Sequence, residues 1–164
     1  MLFQTRDFYV DLIEDRDIKE VLKVYNSNDK FLINHMNTNK VTSEWILREL
    51  ENMRDIGFNS CKIVEIQTGR ITGIIDFKMD DEAYLSLLMI HSDFQGKGFG
   101  RLVFQEFEEH VKTFKSKCIR IDVVTNYDNS VLDFWVNNGF VKFKDIELNW
   151  SGKNLPAVTM KKLL

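Results

Sequence analysis

The segment with the clearest chemical potential is His91–Arg101, which reads His-Ser-Asp-Phe-Gln-Gly-Lys-Gly-Phe-Gly-Arg. Its three glycines within five residues allow positive φ angles and leave the backbone amides uncovered by side chains. The apolar run Ala83–Ile90 before it predicts a buried strand, and apolar residues at helical spacing follow over Leu102–Phe114. A strand, a turn with uncovered amides and a helix N-terminus together favour an anion site, most often for phosphate.

Three kinds of phosphate loop compete for this segment. A P-loop needs a hydroxyl residue after its lysine to bind magnesium, but Lys97 is followed by Gly98. A dinucleotide-binding loop needs a third glycine where this chain has Arg101, and it opens a βαβ unit rather than following antiparallel strands. The third candidate is the pattern Gln-x-x-Gly-x-Gly, formed here by Gln95, Gly98 and Gly100.

The elements around this turn follow from hydrophobic periodicity. The predicted strands are Phe8–Ile13, Ser60–Ile66, Ile71–Met79, Ala83–Ile90, Cys118–Thr125, Phe140–Ile146 and Ala157–Leu163. Two helices precede the second strand, the second of them capped by Thr42 or Ser43, and a short helix capped by Asp128 or Asn129 follows the fifth strand. Residues 26–39 are polar and irregular and predict a loop. This order predicts one α+β domain over residues 1–164.

Composition narrows the class of protein. With 164 residues, 44% of them hydrophobic, the chain can bury a substantial core and is not a disordered segment. A net charge of −3 gives no basis for binding nucleic acid or a membrane surface, and no apolar run reaches the ~18 residues of a membrane helix. Cys61 and Cys118 are isolated and form no metal spacing. We therefore expect two reduced thiols in a cytoplasmic protein without a metal site.

The pattern formed by Gln95, Gly98 and Gly100 resembles the acyl-CoA loop of the GNAT superfamily, the Gcn5-related N-acetyltransferases. Two further features carry the resemblance. The first is the segment just before the loop, Leu88–Phe94, which has an apolar strand, a short turn and an aromatic residue. The second is Phe134–Phe140, which looks like the family's Phe-Tyr-x-x-x-Gly-Phe segment. The resemblance implies a mixed, mostly antiparallel sheet of about seven strands flanked by about four helices and splayed between strands 4 and 5.

The resemblance also implies acetyl-CoA as cosubstrate and no metal. In the family the end of the fourth strand pairs with the pantetheine arm, and the pyrophosphate binds the loop amides, where Lys97 and Arg101 would add positive charge. The implied cofactor contacts are Leu88, Met89, Ile90, Gln95, Gly96, Lys97, Gly98, Phe99, Gly100, Arg101, Asn129 and Trp135. Asn129 is offset by one residue from the family's asparagine, which leaves Asn126 as an alternative. Trp135 suits a wall beside the cofactor and a core position about equally.

The implied reaction transfers an acetyl group from acetyl-CoA to a primary amine of a small molecule or a protein. The amine must be neutral to attack, so a base is needed. The candidates for the base are Glu82, Asp76 and His91. Trp135 stands where relatives commonly have a tyrosine that protonates the departing thiolate, and an indole N–H cannot deliver a proton at ordinary pH. Either the thiolate leaves unassisted or through water, or another group protonates it, for which Tyr84 and Tyr127 are the candidates.

Two other functions remain open on the sequence. Trp135 in the tyrosine position favours a non-catalytic acyl-CoA sensor, and the loop alone would permit a nucleotide-binding domain. The acceptor would lie against residues 26–42 and 149–156, which are polar and do not indicate a particular ligand. His35, in the first of these segments, is predicted to be a solvated loop residue, with a contact to the substrate as the less favoured alternative. Dimers are common in the family, so a homodimer also stays open.

Overall fold

The computed structural model describes all residues, 1–164. The strands are β1 (Phe3–Gln4), β2 (Phe8–Leu12), β3 (Asn59–Glu65), β4 (Ile71–Lys78), β5 (Glu82–Ile90), β6 (Cys118–Val124), β7 (Val141–Trp150) and β8 (Lys153–Leu163). The helices are α1 (Ile18–Asn26), α2 (Asp29–Met36), α3 (Ser43–Asp55), α4 (Phe99–Thr113) and α5 (Asn129–Asn137). One sheet contains all eight strands in the order β1-β2-β3-β4-β5-β6-β8-β7. Only β5 and β6 are parallel neighbours, which confirms the predicted mixed, mostly antiparallel fold.

The structure has one strand and one helix more than the sequence predicts. The extra helix, α2, lies inside the segment 26–39 that was expected to be a loop. Its apolar residues are too few to show a helical period, and the helix forms because Leu32, which is fully buried, packs into the core beneath it. Asn37 ends it in the left-handed conformation, at φ 55°. The helix is therefore a product of tertiary packing rather than of local propensity.

Each face of the sheet carries its own core. On one face, α4 and α5 pack against the strands, and Phe104 and Phe107 of α4 are fully buried. On the other face, α1 and α3 cover the first half of the sheet, with Val21 and Ile46 in that core. Fully burying one such side chain stabilises the fold by about 1.5–3 kcal/mol. The packing of α4 on the sheet places its N-terminus beside the end of β5, where Gly100 approaches the Ile90 side chain.

The predicted splay between the fourth and fifth core strands, β5 and β6, is confirmed. The two strands are paired only from Glu82 to Tyr84 on β5 and from Cys118 to Arg120 on β6. Beyond Tyr84, β5 follows β4 while β6 follows β8. A gap therefore opens along the second half of β5, and the backbone groups on that edge have no strand partner.

A bulge in β5 lies next to this gap. Asp76 of β4 faces Leu87, and the next residue, Phe77, faces Leu85, so Ser86 has no partner across the ladder. An extra residue of this kind bends the strand and increases its twist. The bulge therefore turns β5 at the point where β6 separates from it.

Three further features bear on the sequence predictions. Cys61 and Cys118 are both buried and form no disulfide. None of the five helices has the length and apolar character needed to cross a membrane. The structure also contains no group of three or more His, Cys, Asp or Glu side chains arranged to hold a metal ion.

Candidate active site

A cavity of about 520 Å³ occupies the gap between β5 and β6. Fifteen of its 24 lining residues are hydrophobic, so it suits a ligand with a largely apolar arm. One end reaches Gln95 and Gly100 at the N-terminus of α4, and the other reaches α2 and Trp150 at the end of β7. The predicted phosphate loop and the two segments expected to bind the acceptor therefore meet in one cavity.

The free edge of β5 supplies backbone donors and acceptors to this cavity. The amide of His91 donates to the carbonyl of Thr72 at 2.8 Å. Because the bonding of antiparallel strands alternates, the backbone groups of Met89 face β4, whereas those of Leu88 and Ile90 face the gap. The Ile90 carbonyl accordingly accepts a bond from the side chain of Gln95 at 2.7 Å.

The glycine-rich turn forms a run of unpartnered amides. Gly96 and Gly98 have φ angles of 74° and 78°, and a Cβ on either would meet nothing within 4 Å. These glycines are thus needed for the backbone conformation, not for space. The amides of residues 96–101 have no hydrogen-bond partner in the chain, and Leu102 donates the first bond of α4, to Gly98. Six amides are therefore available at the positive end of the helix dipole.

Positive side chains surround these amides. Lys97 contacts only the backbone carbonyl of Asp93, at 3.4 Å, and neither Lys97 nor Arg101 forms an ion pair with a carboxylate. Arg70 is ion-paired with the Asp93 side chain at 2.8 Å, and this bond lowers the pKa of the Asp93 carboxyl. The turn therefore combines unpaired amides with uncompensated cations, which is an arrangement suited to a phosphate or pyrophosphate.

Of the two remaining predicted cofactor contacts, Trp135 lines the cavity and Asn129 does not. Trp135 is 8% exposed, packs edge-on against Phe104 and Phe140 with ring centroids 5.4 and 5.3 Å away, and also lines the cavity. It is both a core residue and part of the wall. Asn129 is exposed and does not line the cavity, whereas its neighbour Asp128 lines it and caps α5 by accepting a bond from the Ser130 amide at 2.9 Å.

Two of the sequence-predicted acid–base candidates lie outside the cavity. Glu82 is at the opposite end of β5, where its carboxylate forms an ion pair with Lys161 at 2.5 Å, and this contact lowers its pKa. Tyr84 donates from its hydroxyl to Asp122 at 2.8 Å. Neither side chain lines the gap beyond the paired part of β5 and β6.

Of the other three candidates, His91 and Asp76 lie outside the cavity, and Tyr127 lines it. His91 follows the last residue of β5, and its Nδ1 accepts a bond from the Asp93 amide at 3.1 Å, outside the cavity lining. Asp76 is buried on the face covered by α1 and α3, and burial raises its pKa to about 7. Of the five acid–base candidates proposed from the sequence, only Tyr127 lines the cavity.

Sequence reasoning missed an aromatic cluster at the far end of the cavity, and its expectation for His35 is wrong. His35 lies in α2, is 5% exposed and stacks on Phe31 with ring centroids 3.9 Å apart. Tyr127 and Trp150 approach its ring edge-on at 5.4 and 5.3 Å. We call these four residues the aromatic pocket. If a helix had been predicted over this segment, the i, i+4 spacing of Phe31 and His35 would have placed the two rings side by side on one face.

Comparisons with known proteins show the family of this chain and agree with its fold. A family model described as an acetyltransferase (GNAT) domain matches residues 19–164. An acetyltransferase from Thermus thermophilus is 20% identical, with a TM-score of 0.78 and coverage of 96% of this chain and 97% of that one. PaiA N-acetyltransferase from Thermoplasma acidophilum, solved with coenzyme A, is 16% identical, with a TM-score of 0.67 and coverage of 96% and 99%.

The protein yncA from Salmonella typhimurium, solved with its cofactor acetyl-CoA, is 15% identical, with a TM-score of 0.66 and coverage of 97% of this chain and 95% of that one. At these identities the three structures share the fold with this chain. No curated protein matches the sequence.

Proposed function

The chain belongs to the GNAT acetyltransferase family, and from this we propose that residues 1–164 form one N-acetyltransferase domain that moves an acetyl group from acetyl-CoA to a primary amine of a small molecule or a protein. The observation that carries the proposal is the run of six unpartnered amides at residues 96–101 beside the free edge of β5. An anion site and an unpaired strand edge on one apolar cavity match the parts of acetyl-CoA.

In this proposal the pyrophosphate binds the amides of residues 96–101, and Lys97 and Arg101 add positive charge. The pantetheine arm runs along β5, where its two amides meet the backbone groups of Leu88 and Ile90 in the manner of an added strand. The Ile90 carbonyl already accepts bonds from Gln95 and Asn28, at 2.7 and 3.1 Å. The groups of β5 that remain for pantetheine are therefore the Ile90 amide and the backbone groups of Leu88, and the bonds from Gln95 and Asn28 stay in place.

The chemistry of the proposed reaction needs little from the protein beyond positioning and charge stabilisation. The amine nitrogen attacks the thioester carbonyl, and the carbon–sulfur bond then breaks to give a thiolate. Tyr127 is the cavity-lining hydroxyl that suits this thiolate, and burial raises its pKa to about 12, so the phenol keeps its proton at neutral pH. We assign it the role of hydrogen-bond donor to the departing sulfur.

The alternative is a non-catalytic acyl-CoA sensor, favoured by Trp135 in the position where relatives commonly have tyrosine. Acetyl-CoA binding measured by calorimetry, and thiol release measured with a panel of primary amines, distinguish the two functions. Binding with thiol release supports the enzyme, and binding without release for any amine supports the sensor. Absence of binding, or thermal stabilisation by ATP or NAD instead of coenzyme A, overturns both.

Location and assembly belong to the same proposal. Two buried, unpaired thiols, Cys61 and Cys118, are typical of proteins in a reducing compartment and favour the cytoplasm. A homodimer is the assembly that the family resemblance suggests. Light scattering of the purified chain tests the homodimer, and fractionation of cells tests the location.

A further inference from the structure

The imidazole of His35 has one nitrogen that is fully engaged. Its Nδ1 lies 3.0 Å from the backbone carbonyl oxygen of Phe31 and 3.3 Å from the hydroxyl of Tyr127. A carbonyl oxygen only accepts hydrogen bonds, so Nδ1 carries the proton and donates it. In the neutral ring the other nitrogen, Nε2, is then an acceptor with a free lone pair.

That free nitrogen faces open space. No group of the protein forms a hydrogen bond with His35 Nε2. The Ser60 hydroxyl is the one fully enclosed side-chain polar atom of the molecule that lacks a partner, so Nε2 is not fully enclosed. His35 is 5% exposed and lines the cavity, so the cavity is the open space that its ring adjoins.

The surroundings of the ring favour its neutral, basic form. Burial is the main effect that lowers the pKa of His35, and the nearby ammonium of Lys153 lowers it further. Lys153 is held there by bonds to the Asn34 carbonyl at 3.0 Å and the Asn37 side chain at 2.8 Å. Tyr127, in the loop after β6, is the other titratable group that contacts the ring, and it stays neutral. No carboxylate contacts His35.

The rings around His35 are suited to an ammonium group and an apolar body. Phe31, Tyr127 and Trp150 present aromatic surface to the end of the cavity remote from the phosphate loop. A cation within about 6 Å of such a ring is attracted by its quadrupole. The same rings offer an apolar wall to whatever carries the amine, which favours an arylalkylamine over a polycation.

We propose that His35 is the general base of the acetyl transfer and that the aromatic pocket binds an arylalkylamine as acceptor. The Nε2 lone pair takes a proton from the bound ammonium, and the freed nitrogen lone pair forms the new bond to the acetyl carbon. The carbon–sulfur bond breaks, and its electron pair leaves on the sulfur of coenzyme A. The second proton of the attacking nitrogen passes to that thiolate, which gives the neutral amide and the free thiol, and the imidazolium returns its proton to water. This inference rests on the proposed acetyltransferase function.

The test compares His35→Phe with the wild-type enzyme, using 2-phenylethylamine as acceptor. Phenylalanine retains the stacking on Phe31 but removes the base, so kcat at neutral pH should fall by about 100-fold or more. The loss should shrink as the pH rises, because more of the amine is then already neutral. The affinity for acetyl-CoA should be unchanged, and His110→Gln, on α4 and outside the cavity, should behave as the wild type.

A second variant covers the case in which His35→Phe fails to fold. His35→Ala leaves a space for imidazole, and added imidazole should restore a measurable part of kcat. The wild type should also prefer 2-phenylethylamine to n-propylamine and to spermidine in kcat/KM. If the wild type is active and both substitutions leave kcat and the pH profile unchanged, this inference alone is overturned. A wild type that prefers spermidine overturns it as well. A wild type that binds acetyl-CoA but acetylates no amine overturns the proposed function together with it.

Discussion

The side-chain amide of Gln95 donates a hydrogen bond to the carbonyl oxygen of Ile90 at 2.7 Å. The same amide donates to Asn28, also at 2.7 Å. Gln95 thereby ties the glycine-rich turn to the last residue of β5 and to the loop after α1. These two bonds help to fix the anion site relative to the strand edge, together with the bond from the Ser92 amide to the Ser27 hydroxyl.

Replacing Gln95 by leucine should therefore weaken coenzyme A binding by about tenfold, the equivalent of about 1.4 kcal/mol. Each lost hydrogen bond contributes about 1 kcal/mol, and the loop would no longer be held against β5. Calorimetric titration with coenzyme A measures the effect. Gln67→Leu, in the exposed β3–β4 turn, controls for the loss of a surface amide. Equal dissociation constants for the two variants would show that the Gln95 contact does not shape the site.

Gly98→Glu should abolish coenzyme A binding. The substitution adds an anion to the anion site and places a side chain where the φ angle is 78°. Gly69 provides a matched control, since it also has a positive φ, 69°, with nothing within 4 Å of an added Cβ. Both glutamates should lower the free energy of unfolding by a similar amount, about 1–2 kcal/mol.

Only the substitution at position 98 should affect the ligand. Thermal unfolding with and without coenzyme A separates the two effects in one experiment. If Gly98→Glu is still stabilised by coenzyme A to the same extent as Gly69→Glu, the phosphates bind elsewhere.

Tyr127→Phe should slow the chemical step by about tenfold to 100-fold, because a hydrogen bond to a charged group contributes about 1.5–3 kcal/mol. Tyr84→Phe is the matched comparison, since its hydroxyl bonds to Asp122 and does not line the cavity. Single-turnover acetylation by rapid mixing isolates the step from product release. A larger loss in Tyr84→Phe than in Tyr127→Phe would show that Tyr127 is not the hydrogen-bond donor to the departing sulfur.

Asp76→Asn should make the stability of the protein less dependent on pH. Burial, together with the nearby Glu49 carboxylate, raises the pKa of Asp76 to about 7. Between about pH 4 and pH 7 the folded state therefore holds a proton that the unfolded state has released, so the wild-type free energy of unfolding falls as pH rises through this window. Asparagine stays neutral and avoids that loss.

Urea denaturation at about pH 5 and about pH 8 measures the difference between the two proteins. The variant should gain stability relative to the wild type at the higher pH. Asp55→Asn, at the exposed end of α3, controls for the removal of one carboxylate. Parallel pH profiles for wild type and Asp76→Asn would mean that this carboxyl does not titrate in the window.

The features predicted well from the sequence are those that depend on neighbours along the chain. The order of a buried strand, a glycine turn and a helix around Gly96 and Gly98 follows from residue types within a few positions, because backbone conformation and helix capping are local effects. Thr42 as a helix cap, which accepts a bond from the Trp45 amide at 3.2 Å, is an example. The splay between β5 and β6 was likewise predicted from short motifs, because the family resemblance rests on Leu88–Phe94 and Phe134–Phe140.

The tertiary structure alone decided which side chains share the cavity. His35 and Tyr127 are 92 positions apart and meet because α2 packs beside the loop that follows β6. Glu82 and Ile90 belong to one strand, yet only Ile90 reaches the cavity, because β6 stays paired with β5 at Glu82 and leaves it further on. Local sequence determined that an anion-binding turn forms after β5, whereas packing between distant segments determined what faces it, since burial and the separation of strands depend on the whole sheet.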